Sequence, residues 1–148
     1  MNDGVSGFQK AIMVKLDEAI KTKFKYLGEE LVKYAKDNHN YTDQTGNLTN
    51  SIGYAVVHNN EIVYSSVDNG SGVADDSALQ AAKEMAQTIY GNNGYSLIIV
   101  AGMNNAAYVE AKGYNVILPA ELKAKKDFIN EIAKVLTKFQ WLYICSIE

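Results

Sequence analysis

Apolar residues recur every three or four positions in the first quarter of the chain, which is typical of one face of a helix. The members of this face are Phe8, Ile12, Leu16, Ile20, Phe24, Leu27, Leu31 and Tyr34. Because Lys and Glu occupy most other positions, the pattern predicts an amphipathic helix over about residues 8–37, with Gly28 as a point where it bends or breaks. At 1.5 Å per residue, this helix extends roughly 45 Å.

Alternation of apolar and small positions replaces the helical period after a polar loop at residues 41–47. Residues 52–57 and 62–64 predict a β-hairpin, because Asn59 and Asn60 between them tolerate the positive φ angles of a tight turn. The most hydrophobic segment, residues 95–101, is predicted to be the central strand. With residues 114–118 as a further strand, the prediction is a small, mainly antiparallel sheet of about four strands.

Two more helices are predicted. One begins at Asp75 or Asp76, residues suited to capping a helix, and its inward face consists of Leu79, Ala82, Met85, Ala86 and Ile89. The last helix covers about residues 119–139, since Pro119 suits a first helical position. Its apolar stripe consists of Leu122, Ile129, Ile132, Leu136 and Phe139.

The element order contains a hairpin rather than regular strand–helix–strand alternation, which predicts one α+β domain over residues 1–148. In this domain the N-terminal and C-terminal helices pack on a unit of sheet and inserted helix at about residues 48–118. Residues 140–148 form an apolar tail, which either packs on the domain or is covered by a partner.

Composition limits the classes of function. The net charge is −3 and all 14 basic residues are Lys. Arg is the side chain best suited to bidentate contacts with phosphates and guanine, so its absence from an acidic chain argues against direct nucleic-acid recognition. The ten Tyr residues favour protein contacts instead.

The same sequence predicts a soluble protein made in the cytoplasm. Its apolar runs are shorter than the roughly 20 residues of a membrane-spanning helix, so no membrane contact is expected. The start of the chain lacks the pattern of a secretory signal. A single cysteine, Cys145, fits a reducing compartment.

The sequence offers little catalytic or metal-binding chemistry. It has two histidines, His39 and His58, beside a predicted helix end and a predicted hairpin turn. Neither a G-x-S-x-G nor an H-E-x-x-H motif is present, and the acidic loop at residues 68–76 does not follow the EF-hand order of calcium ligands. We therefore predict no catalytic residue, metal or cofactor. A small hydrolase that uses His39 or His58 with Asp43 stays as an alternative.

Two segments carry a more specific pattern. Thr45, Gly46 and Leu48, followed by Ser51-Ile52, precede the first predicted strand. The second segment, Ala107-Tyr108-Val109-Glu110 with Gly113, follows the strand at residues 95–101.

Together with the long first helix, these segments resemble the small neck and tail-completion proteins of tailed bacteriophages. That family has a T-G-x-L-x-x-S-I element before its first strand and a Y-A-x-Y-V-E-x-G-like element after its central strand. The resemblance covers most of the chain in layout and two short motifs in detail. One extra residue precedes Gly113, and Gln44 and Thr49 stand where the family often has Arg.

The resemblance implies a virion structural protein of the head–tail junction or tail terminus. It would be synthesised in the cytoplasm and would bind copies of itself, as a ring, and neighbouring virion proteins. A bacterial interaction module outside any virion is the alternative. The motif residues expected at contacts or in fold closure are Thr45, Gly46, Leu48, Ile52, Tyr108, Val109, Glu110 and Gly113.

These motif residues have different expected roles. Gly46 permits a tight turn, and Thr45 can close it with a side-chain to backbone hydrogen bond. Leu48 and Ile52 anchor the loop in the core. Glu110 is the residue predicted to contact another subunit, since charges at interfaces fix their register.

Overall fold

A computed structural model of the chain describes residues 3–67, 75–90, 93–102 and 117–147. These residues form a mixed helix-and-sheet structure, which confirms the α+β class. The elements in chain order are α1 (Asp3–Asp37), α2 (Asn47–Asn50), β1 (Ile52–His58), β2 (Glu61–Ser65), α3 (Asp76–Tyr90), β3 (Tyr95–Ala101) and α4 (Leu118–Ile147).

In the described residues the sheet has three antiparallel strands in the order β2-β1-β3. The central strand is therefore β1, and the prediction that residues 95–101 are central was wrong. The hairpin turn is confirmed, because Asn59 and Asn60 have φ angles of 50° and 67°. The prediction of about four strands does not fit this sheet: Leu118 already belongs to α4, since Pro119 suits a first helical turn. Residues 114–116 lie outside the described part.

Helices cover both faces of the sheet. On one face, α1 and α4 pack together and enclose Tyr54 and Val56 of β1. Phe24 of α1 joins the layers, since its ring contacts Phe128 of α4 edge-on at 5.2 Å and Tyr95 of β3 at 5.5 Å. On the other face, α3 packs its buried alanines Ala82 and Ala86 against the sheet. Alternate residues of β1 point to opposite faces, which explains why nearly the whole strand is buried.

The predicted inward position Met85 on α3 is wrong, and three residues of the apolar stripe of α4 face solvent. Leu122, Ile129, Leu136 and Met85 are all exposed by 46% or more. The reason on α4 is that Ala120 and Ala124 lie on the packed side, where small side chains permit close approach to α1.

Most of the predicted face of α1 is buried or half-buried, but Phe8 and Tyr34 are 54% and 39% exposed. Gly28 lies inside the continuous helix, so α1 is not interrupted there.

Candidate docking surface

The first helix extends past the end of the sheet. Tyr95, at the start of β3, donates a hydrogen bond to the carboxylate of Asp17, and its ring stacks on that of His58 at 3.8 Å. His58 Nδ1 lies 4.0 Å from the same carboxylate of Asp17. From Leu16 back to Asp3, α1 continues for about 21 Å at 1.5 Å per residue.

The C-terminal half of α4 accompanies this extension. The two helices run antiparallel, since residues 27–31 of α1 lie beside residues 123–134 of α4 whereas residues 9–16 lie beside residues 136–140. An ion pair of 2.6 Å joins Lys23 Nζ to Glu131 Oε2 between them. We call residues 3–16 of α1 together with residues 136–147 of α4 the stem. Between the stem helices lies a groove of about 960 Å³. Its lining consists of Gln9, Lys10, Ile12, Met13, Val14, Leu16, Leu136, Phe139 and Gln140.

The groove exposes apolar side chains to solvent. Six of its nine lining residues are apolar and one, Lys10, is charged. Met13 is 54% exposed, Val14 62% and Leu136 46%, whereas Ile12 between the helices is buried. Contiguous apolar patches on folded proteins are often sites of interaction with other molecules. The stem groove is therefore the best candidate for a docking surface in the described structure.

The first sequence motif lies at the opposite end of the sheet, where it closes the fold. Gly46 has a φ angle of 74°, and the Thr45 hydroxyl accepts a hydrogen bond of 3.3 Å from the Asn47 N–H. Leu48 and Ile52 are buried in the main core. These contacts match the expected turn and anchoring roles.

Two further hydrogen bonds connect this motif to the rest of the domain. The buried Ser51 hydroxyl donates to Leu48 O at 2.7 Å. The Gly102 N–H donates to Ser51 O at 2.9 Å, which ties the motif to the end of β3. The motif is thus part of the packing that aligns β1 and β3 with α2.

The residues of the hydrolase hypothesis have other partners. Asp43 Oδ2 accepts a hydrogen bond of 2.7 Å from the Thr49 N–H, next to α2. His39 Nδ1 lies 3.1 Å from Tyr41 O. His58 lies beside Asp17 at the far end of β1, and a strand of that length spans roughly 20 Å. The structure does not bring His58 and Asp43 together.

The Asp43 carboxylate is a capping group for this turn. Burial alone raises the pKa of an acid, but hydrogen bonds from Thr49, Gly46 and Leu48 outweigh burial and leave the pKa of Asp43 below its ordinary value. The ionised carboxylate is thereby held in place as an acceptor for backbone N–H groups.

Other predicted features have mixed outcomes. Asp75 caps α3, since its Oδ1 accepts a hydrogen bond of 3.0 Å from the Ala78 N–H. Tyr108, Val109, Glu110 and Gly113 lie outside the described residues, as does most of the acidic loop at 68–76.

Among the described residues, no group of three or more His, Cys, Asp and Glu side chains is placed to hold a metal ion. None of the described helices has the length and apolar character needed to cross a membrane.

The stem groove was not predicted from the sequence, because a single apolar face was assigned to α1. The signal was the run from Ala11 to Val14, in which four consecutive apolar residues cover more of the helix surface than one face requires.

Comparisons with models of protein families, with curated proteins and with solved structures found no match to this chain.

Proposed function

We propose that this protein is a structural docking subunit that binds another protein through its stem groove. The observation that carries the proposal is the exposure of Met13, Val14 and Leu136 along one groove beyond the sheet. Burial of apolar surface contributes about 25 cal/mol per Å², so an apolar segment of a partner protein would be stabilised there. The rest of the domain holds the stem at its root through the contacts around Asp17 and Phe24.

The specific form that we propose is a neck or tail-completion protein of a tailed bacteriophage or prophage. Its partners would be copies of itself and neighbouring proteins of the virion. The T-G-x-L-x-x-S-I motif, placed just before β1 after a long N-terminal helix, supports this form. The exposed stem supports it as well, because a subunit that joins two assemblies needs a contact surface outside its own core.

The DNA on either side of the gene tests the virion part of the proposal. We expect genes for portal, capsid or tail-tube proteins within a few kilobases. Metabolic or regulatory neighbours would contradict it and leave a bacterial interaction module outside any virion, which binds through the same groove.

Binding to purified products of those neighbouring genes tests the docking part. We expect the double substitution Met13→Glu with Val14→Glu to weaken binding by at least about tenfold, since central apolar contacts dominate interface energetics. Met85→Glu on α3 is a matched control, because Met85 is 52% exposed and Met13 is 54% exposed. Equal affinity of both variants would show that the stem groove is not the contact surface.

A further inference from the structure

Two turns meet at the end of the sheet nearest the stem. One is the hairpin turn at Asn59-Asn60, and the other is the turn at Asn93-Gly94 that leads into β3. The Asn59 N–H donates a hydrogen bond of 3.2 Å to Gly94 O, and Asn59 Oδ1 accepts one of 3.1 Å from the Gly94 N–H. Both backbone polar groups of Gly94 are therefore bound by the same residue. We call these two hydrogen bonds the Asn59 clamp.

Asn93 and Gly94 have the features of a pair in which the asparagine loses its side-chain amide spontaneously. Both residues are exposed. Gly94 has a φ angle of 86°, and a β-carbon there would meet no atom within 4 Å. Asparagine is among the thermolabile residues of proteins, and a following glycine hinders the approach of backbone to side chain least.

We propose that Asn93 is a site of spontaneous deamidation and that the Asn59 clamp controls its rate. In this reaction the Gly94 backbone nitrogen gives up its proton to solvent and forms a bond to Asn93 Cγ. The bond from Cγ to the side-chain nitrogen breaks, and that nitrogen takes up a proton and leaves as ammonia. The product is a five-membered succinimide. Water then adds across either of the two C–N bonds of the ring, which leaves aspartate or isoaspartate at position 93.

The clamp opposes the first step of this reaction. The proton that must leave is the one that the Gly94 nitrogen donates to Asn59 Oδ1, and the bond to Gly94 O restrains rotation of the same residue. Deamidation therefore proceeds from conformations in which the clamp is open. Since the net strength of one hydrogen bond corresponds to about a two- to tenfold change in rate, loss of the Asn59 side chain should accelerate the reaction by this factor.

Deamidation would change the charge beside the root of the stem. A neutral amide becomes a carboxylate, which makes the net charge of −3 one unit more negative. Tyr95 follows directly after Gly94 and contacts Asp17 and His58. This inference goes beyond the proposed function, because position 93 does not line the stem groove.

Peptide mapping by mass spectrometry, after incubation in mildly alkaline buffer, tests the proposal. Asn59→Gly removes the side-chain half of the clamp, and glycine suits the φ angle of 50° at that position. Asn60→Gly is the matched control, because Asn60 lies in the same turn with a φ angle of 67° and its substitution leaves Asn59 in place. We expect slow deamidation of Asn93 in the natural protein, a rate about two- to tenfold higher in Asn59→Gly and an unchanged rate in Asn60→Gly.

Hydrogen exchange of the Gly94 amide measures the clamp directly, and it should be faster in Asn59→Gly than in Asn60→Gly. The absence of any product at Asn93 in Asn59→Gly would overturn the modification site. Equal deamidation rates in all three proteins, or the same acceleration in Asn60→Gly as in Asn59→Gly, would overturn control by the clamp.

Discussion

The ring of Tyr54 lies directly against the backbone of Gly28. A β-carbon at position 28 would come within 2.6 Å of Tyr54 Cγ and 2.8 Å of Cε2. Tyr54 is 1% exposed in the central strand, so its ring has no free space into which it can move. Gly28 is therefore a point of close approach between α1 and the sheet.

Gly28→Ala should destabilise the protein although alanine is the better helix former. Within a helix, alanine is more favourable than glycine by about 1 kcal/mol. Inserting an extra methyl group into a well-packed core, however, typically costs about 1–3 kcal/mol. We expect the free energy of unfolding, measured by urea denaturation, to fall. Gly7→Ala is the matched control on the same helix, because a β-carbon there meets no atom within 4 Å. That variant should gain up to about 1 kcal/mol. Equal effects at the two positions would contradict the close approach at Gly28.

Tyr54→Phe should lower the free energy of unfolding by about 1–3 kcal/mol. The Tyr54 hydroxyl donates a hydrogen bond of 2.9 Å to Glu29 Oε1, and hydrogen bonds to charged groups have net values in this range. Tyr26→Phe is the control: Tyr26 donates a bond of the same length to Glu30 but is 52% exposed, and we expect a loss below about 0.5 kcal/mol. Chemical denaturation at neutral pH measures the loss in the free energy of unfolding for both variants. Equal losses would contradict the prediction that the buried hydrogen bond contributes more than the exposed one.

The contribution of Tyr54 should disappear at high pH. Burial, followed by the hydrogen bond to Glu29, raises the pKa of Tyr54 well above its ordinary value of 10.0. Below pH 10 the residue is protonated in both states and its contribution is complete. Above pH 10 the unfolded chain loses the proton while the folded protein keeps it, so the free energy of unfolding falls as pH rises. The difference in stability between the natural protein and Tyr54→Phe should therefore shrink as the pH rises past 10; a constant difference would contradict the raised pKa.

The contribution of Glu131 to the free energy of unfolding should show the opposite pH dependence to that of Tyr54, because it should be lost at acid pH. Hydrogen bonds from Lys134 and from Lys23 of α1 lower the pKa of Glu131 from its ordinary 4.5 to about 2. The stabilising contribution is complete above pH 4.5 and is lost as pH falls toward 2, because the unfolded chain takes up the proton first. Unfolding curves of Glu131→Gln should accordingly approach those of the natural protein over this interval. Glu121→Gln is the control for an ion pair within one helix, since Glu121 pairs with the exposed Lys125 of α4, and its effect on stability should be smaller. A response of Glu121→Gln as large as that of Glu131→Gln would contradict the role of the contact between α1 and α4.

Local signals in the sequence predicted the element types well. The helical period of α1, the positive-φ pair Asn59-Asn60 and the cap at Asp75 each act within a few residues, so their structures follow from local chemistry. The turn at Gly46 and the anchoring of Leu48 also follow from the residues themselves.

The predictions that failed depend on packing between distant segments. Periodicity shows that α4 has apolar residues, but it does not show that Ala120 and Ala124 occupy the close contact while Ile129 stays outside. Likewise, nothing within residues 95–101 shows that β1 lies between its two neighbours, because strand order is set by the whole chain. The stem groove likewise depends on packing between distant segments, because it forms where α1 and α4 both continue past the sheet.

Photo-crosslinking in the cells that naturally make the protein tests the central claim most directly. A photoreactive amino acid would be placed at Met13 in one variant and at Met85 in another, two methionines of nearly equal exposure on different surfaces. Cross-linked products would be separated by mass and identified by mass spectrometry.

We predict one dominant protein partner cross-linked from position 13 and only weak, unspecific products from position 85. If both positions give the same products, or if position 13 gives none while the protein is in its natural assembly, docking through the stem groove is contradicted.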